Sequence, residues 1–128
     1  MVRAWAAVVR HAIAAALAYE AVGSVVWMGR ILTFAAVYDA PVFVMVGARA
    51  IVTAAELVAT AALWRGRPAG VPLAQASLAL SAVLVALEVG AGLAPSSTPP
   101  GQRGLTVVAY AVYAAAAIWL LRRGRSDR

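Results

Sequence analysis

Four long apolar runs, separated by short polar breaks, organise this chain. They cover Ala4–Met28, Pro41–Trp64, Val71–Leu93 and Leu105–Leu121. A helix needs about 17 to 25 residues to cross a hydrocarbon core, and each run supplies that length. Helices are the expected form, because lipid offers no partner for a backbone N–H or C=O. The breaks carry turn chemistry. Arg65-Gly66-Arg67-Pro68-Ala69-Gly70 is a short basic turn, and residues 94–101, with Pro95, Pro99 and Pro100, form a polar loop that cannot be helical throughout. Asp39 stands where it would cap the second helix, with Pro41 in the first turn. Arg30 to Tyr38 has two readings, an extension of the first helix or a short amphipathic piece in the interface. The predicted fold class is all-α: one domain, residues 1–128, forming an integral membrane bundle of four transmembrane helices.

Inside the runs the polar residues are not scattered. Arg49, Thr53, Glu56 and Thr60 fall at i, i+4, i+7 and i+11, one face of a helix. Ser77, Ser81, Leu84 and Glu88 repeat that spacing in the third run, and Thr106, Tyr110, Tyr113 and Ala117 in the fourth. Glu20, Ser24 and Trp27 begin it in the first. Four such stripes predict a shared polar interior, with Val, Leu and Ala facing lipid.

Composition agrees with a bilayer setting. Of the 128 residues, 64% are hydrophobic and 12% charged, the latter about half the share of a soluble domain. The basic residues are all Arg, and the formal net charge is +6. They sit between and beyond the apolar runs, where they meet lipid headgroups, so nucleic acid is not an expected partner. The absence of Cys excludes disulfides, thiol chemistry and Cys-ligated metal. The Ala- and Arg-rich usage is that of a high-GC bacterial genome, which points to a bacterial inner membrane. A basic start and Ala16-Leu17-Ala18 imitate a signal peptide, but the apolar stretch after His11 is too short, and the first run reads as a retained helix.

Arg placement predicts orientation. Arg3 and Arg10 flank the start, Arg65 and Arg67 the second connection, and Arg122, Arg123, Arg125 and Arg128 the tail. The opposite side has only Arg30 and Arg103. The positive-inside rule then gives N-in/C-in, with Trp5, Trp64 and Trp119 at the cytoplasmic interface and Trp27 at the outer one.

Glu20, Arg49, Glu56 and Glu88 are expensive in hydrocarbon, roughly 2.5 to 3.5 kcal/mol each on insertion scales for charged side chains. That cost predicts a polar cavity in which Arg49 neutralises at least one carboxylate. Glu20 and Glu88 lie late in helices running outward and Arg49 early in one running inward, so all three belong to the outer half. Glu56 follows Arg49 by roughly 10 Å along the axis and is the expected cavity floor. Bland roles compete with functional ones. The Ser and Thr residues serve helix packing, as do Ala82, Ala86 and Gly90. Glu20 with Arg49 makes a structural ion pair, the tyrosines are core aromatics, and Arg10 snorkels beside the lone His11.

Motifs of soluble chemistry are absent: no Walker loop, dinucleotide fingerprint, G-x-S-x-G or H-E-x-x-H. No metal site or cofactor is expected. A carboxylic acid in a low-dielectric pocket keeps its proton and can give it to an alkene or epoxide, and a second carboxylate can remove one from the resulting cation. Glu56, Glu20 and Glu88 are the catalytic candidates, with Glu56 as the acid. Arg49, Tyr19, Trp27, Tyr110, Tyr113 and Asp39 are the substrate-binding candidates, the aromatic faces stabilising positive charge. In this layout of few helices, buried acids and aromatics, the chain resembles the small bacterial membrane-bound terpene cyclases. The resemblance is one of layout, not of motif. It implies an enzyme acting on an isoprenoid by proton-initiated cyclisation or isomerisation, with membrane lipid and a lipophilic small molecule as partners. Two other readings remain: a proton-coupled transporter working as a homo-oligomer, against which Arg49 would repel a cationic cargo, and a non-catalytic accessory subunit.

Orientation is directly testable. A tag placed between Ser96 and Pro100 should react with a membrane-impermeant reagent in intact cells, and a tag after Arg128 should not. A C-terminus reachable from outside would end the N-in/C-in topology.

Overall fold

The computed structural model describes residues 2–96 and 98–126, without the side chains of Val2, Arg125 and Ser126. Ser97 and Arg128, used above for the loop and the orientation, lie outside the described residues, as does the Arg125 side chain. The described residues form four helices, α1 (Val2–Thr33), α2 (Ala40–Trp64), α3 (Gly70–Val85) and α4 (Arg103–Ser126). A π-helical turn, Ala86–Gly90, continues α3, and single 3-10 turns occupy Ala35–Val37 and Pro100–Gln102. All four helical segments are long and apolar enough to cross a membrane.

Neighbours in sequence are neighbours in space, and α4 closes back on α1 along a shorter stretch. The antiparallel arrangement shows in the main apolar core. Val9, Ile13, Ala14 and Leu17 from early α1 pack with Ala59 and Leu63 from late α2, Val71, Ala74 and Leu78 from early α3, and Ala114, Ala117 and Leu121 from late α4. This core fills the end of the bundle where α1 starts and α4 stops, here the terminal end. A smaller cluster, Met45, Val52, Leu84 and Ala94 with Trp27 and Ala48 against it, sits toward the opposite, loop end. Val22, Val25, Ile51, Val58, Val83 and Val112 are exposed on the outside, so the outer faces of the helices are apolar.

Residues 30–38 follow neither sequence reading in full. The first helix runs on to Thr33, whose hydroxyl donates to the Gly29 carbonyl at 2.8 Å in the last turn. A 3-10 turn then leads to Tyr38 and Asp39 in extended conformation. Asp39 occupies the N-cap position, yet its side chain makes no capping bond. Its backbone carbonyl accepts from Val42 N–H at 3.1 Å, and the carboxylate is exposed. The expected side-chain cap is therefore not formed. Trp5, Trp64 and Trp119 are exposed near the terminal end, whereas Trp27 is half-buried and donates from Nε1 to the Pro95 carbonyl at 3.1 Å. That bond ties α1 to the loop between α3 and α4.

The α2–α3 turn explains its glycines. Gly66 sits at φ +69, the left-handed conformation that a side chain resists. Around it Gly66 N–H donates to Leu63 O at 3.1 Å and Arg67 N–H to Ala62 O at 2.9 Å, the paired bonds of a Schellman stop. Gly70 then brings α3 so close that a Cβ there would lie 2.8 Å from Leu63 N and 2.9 Å from Ala62 C.

That contact is with backbone, which cannot swing aside. Gly70→Ala should cost about 1–3 kcal/mol in an SDS unfolding titration, as overpacking does. Gly47→Ala meets nothing within 4 Å and should instead stabilise α2 by about 0.5–1 kcal/mol. Equal effects at the two positions would refute the tight-turn account.

Candidate functional site

Between the two apolar clusters lies a polar layer, and the stripe on α2 supplies its centre. Arg49, Thr53 and Glu56 are all buried, Glu56 completely, at 0% exposure. The period of the helix puts them on one inward face, as the spacing predicts. Arg49 reaches across to the π turn after α3. Its Nε donates to Glu88 Oε1 at 3.1 Å and its Nη2 to Glu88 Oε2 at 2.8 Å, a bidentate ion pair. Its Nη1 donates to Ser81 Oγ at 2.9 Å, and Tyr110 on α4 donates to the same oxygen at 2.8 Å. Three helices are thereby joined by one short chain of charge-assisted and neutral bonds.

The π turn is part of that arrangement. Ala91 N–H donates to Ala86 O at 2.9 Å, five residues back, so the helix is widened where Glu88 sits. Such turns recur at functional positions, and here it accompanies the delivery of a carboxylate to a guanidinium 39 residues away in sequence. Nothing in the residue types of Ala86–Gly90 marks a π turn, and the third run reads as a uniform span. The small-residue reading is supported at Gly90, where a Cβ would approach Val107 Cγ2 of α4 to 3.2 Å.

Above the ion pair is a cavity of about 290 Å³. Glu20, Gly23, Ser24 and Trp27 of α1 form one wall, and Arg49, Ser81, Val85 and Glu88 the other. Pro95 and Ser96 form the rim at the loop end. Glu20 is half-buried there, and its Oε2 is buried without a hydrogen-bond partner. The Tyr110 hydroxyl is committed to Ser81 Oγ. The remaining polar groups belong to a layer below. Glu56 does not line the cavity, and neither of its carboxyl oxygens has a partner. Its charged neighbours are Glu20 and Arg49. Tyr113 stacks edge-on against Tyr110 at 5.6 Å and has a buried, unpartnered hydroxyl. Thr53 Oγ1 is in the same condition.

Set against known protein families, curated proteins and solved structures, the chain matches none. The site is therefore read from its own geometry.

Several expectations change with that geometry. Arg49 pairs with Glu88, not Glu20, because the π turn aims Glu88 at the Nε/Nη2 edge of the guanidinium. Glu56 is sealed beneath the cavity rather than forming its floor. Tyr19 is 83% exposed on the outside of the bundle and does not line the cavity. Asp39 is exposed at the α1–α2 connection, equally remote in the fold. Tyr110 and Tyr113 stand behind the wall, and of the aromatic candidates only Trp27 lines the cavity. The Ser and Thr residues divide. Thr60 donates to the Glu56 carbonyl at 2.8 Å and also reaches the Ala14 carbonyl of α1 at 3.5 Å, Ser77 donates to Leu73 on its own helix at 2.8 Å, and Thr106 to Gln102 in the turn before α4 at 3.0 Å. Ser81 alone of the stripe hydroxyls bonds side chains of other helices among the described residues. Sequence reading also missed Gln75, which donates to the Ile118 carbonyl at 3.1 Å and links α3 to α4.

The ion pair should dominate stability. Arg49→Ala leaves Glu88 buried without compensation and should cost about 3–5 kcal/mol. Arg30→Ala, at an exposed position, should stay within about 0.5 kcal/mol. Comparable unfolding midpoints for the two variants would contradict the bonding described.

Proposed function

We propose that the chain is a multi-pass protein of a bacterial inner membrane, N-in/C-in, whose cavity is an acid–base site for a lipophilic substrate of isoprenoid type. The basic flanks of α1, the α2–α3 turn and α4 support the orientation, and it turns the loop end, with the cavity, toward the outer leaflet. One observation carries the chemical reading: Glu20 is a cavity-wall carboxyl with an unpartnered buried oxygen, while the other wall carboxyl, Glu88, is held by Arg49. An intramembrane carboxyl kept free in a pocket is a functional group by default.

The reaction that fits is a double-bond isomerisation. The Glu20 O–H bond breaks and its proton forms a C–H bond at one alkene carbon, leaving a carbocation and the Glu20 carboxylate. The carboxylate then removes a proton from the carbon on the other side of the cation. The double bond has moved and Glu20 is again protonated. The Trp27 face stabilises the cation in between, and the Arg49–Glu88 pair offers a polar anchor for a substrate headgroup. Cyclisation fits less well, because a cascade of cations calls for several aromatic faces and only Trp27 lines the cavity.

A second reading, proton-coupled transport by a homo-oligomer, is favoured by one feature: unpartnered polar atoms continue past the cavity to Thr53, Glu56 and Tyr113. The repulsion expected from Arg49 also weakens once Glu88 neutralises it. An accessory-subunit role is poorly supported, since the exposed helix faces are apolar and the polar groups turn inward.

The test uses purified protein in nanodiscs, isoprenoid substrates and D₂O. Deuterium should enter the product, and Glu20→Gln should lower turnover by about 10²–10⁴-fold, the usual loss of a general acid. Unchanged turnover in Glu20→Gln would remove Glu20 from the chemistry. Cation movement in vesicles driven by a pH gradient, without conversion of any lipid, would favour the transporter.

A further inference from the structure

The polar layer holds more acid than base. Its buried polar groups are Glu20 from α1, Arg49, Thr53 and Glu56 from α2, Ser81 from α3, Glu88 from the π turn, and Tyr110 and Tyr113 from α4. Arg49 is the one cationic side chain among them, and its charge is paired with Glu88 while it also bonds Ser81. Two carboxyls are left without a counter-charge. Glu56 is the extreme case, at 0% exposure with both oxygens unpartnered. An isolated carboxylate so placed is disfavoured strongly enough that the group holds a proton instead.

We propose that Glu20 and Glu56 form a proton-binding pair, in which Glu56 retains a proton that the cavity does not reach and Glu20 exchanges one with whatever occupies the cavity. Thr60 meets the Ala14 carbonyl of α1, and in that antiparallel register Glu20 and Glu56 stand within about one helical turn of each other on adjoining helices, so ionisation of one opposes ionisation of the other. The hydroxyls of Thr53 and Tyr113, buried beside them and unpartnered, are the donors available to whichever oxygen carries charge. The sealed member keeps the pair from losing both protons, and the exposed member does the exchange. This inference stands on burial and partnering alone, and it holds whether or not the cavity takes an isoprenoid.

The chain contains three glutamates, Glu20, Glu56 and Glu88, so selective labelling of glutamate side-chain carboxyls with ¹³C reads the whole layer without any mutation. In lipid at neutral pH, infrared spectra should show an ionised carboxylate, from Glu88, and a protonated carboxyl that persists into mild alkali, from Glu56. A further signal, from Glu20, should titrate. Glu56→Gln, which keeps size and neutrality, should lose the persistent band, and Glu20→Gln the titrating one. Three ionised carboxylates in the labelled wild-type protein would overturn the proposal even if Glu56→Gln failed to fold. So would a persistent band that survives Glu56→Gln. A spectrum that changes when sodium chloride replaces choline chloride at constant pH would overturn it in favour of a bound cation. The two readings fail separately: an ionised Glu56 beside a protonated Glu20 overturns this pair and leaves the catalytic reading standing, whereas an inactive enzyme with both protonated signals in place leaves the pair standing.

Discussion

The bidentate contact between Arg49 and Glu88 is the constraint around which the rest is arranged. An arginine in the hydrocarbon layer is tolerated only when its charge and its N–H groups are answered there. Here Glu88 answers the charge at 2.8 and 3.1 Å and Ser81 takes a further N–H. Meeting those demands fixes the rotation of α2, the widened turn at the end of α3 and the position of Tyr110 on α4. The cavity is what remains between that fixed assembly and the wall that α1 presents.

The bundle is divided along its length. At the terminal end all four helices interdigitate through Leu, Val, Ile and Ala, and the α2–α3 turn is drawn tight at Gly70. At the loop end the apolar packing is sparse, Trp27 is held to Pro95 by a single hydrogen bond, and the cavity opens between helices. Local opening follows contact density. Local opening is therefore expected around the cavity at the loop end before it reaches the apolar core of the terminal end.

Much of this was legible in the residues. Periodicity named the inward stripe Arg49, Thr53 and Glu56 and its counterparts Ser81 and Glu88, because helical pitch leaves no other face for them. Charge and proline placed the breaks. Pairing was not legible. Glu20 and Glu88 have similar expected depths, and choosing between them as the partner of Arg49 depends on the π turn, a local widening with no compositional mark. Depth arithmetic also misjudged Glu56: distance along an axis says nothing of which side chains close over a group laterally. Tyr19 shows the same weakness from the other direction. It precedes Glu20 by one residue, and one residue is 100° of rotation, which turns its ring away from the site.

The α2–α3 hairpin carries a consequence for how such a chain enters a bilayer. Its two helices are clipped at one end by the Gly66–Gly70 turn and farther along by Arg49 and Glu88. Inserted singly, each helix would take an uncompensated charge into hydrocarbon. Paired, the carboxylate and the guanidinium compensate each other within the hairpin. In the membrane setting proposed above, the hairpin rather than the single helix is the unit that would carry these two charges, as a dipole, across the interface.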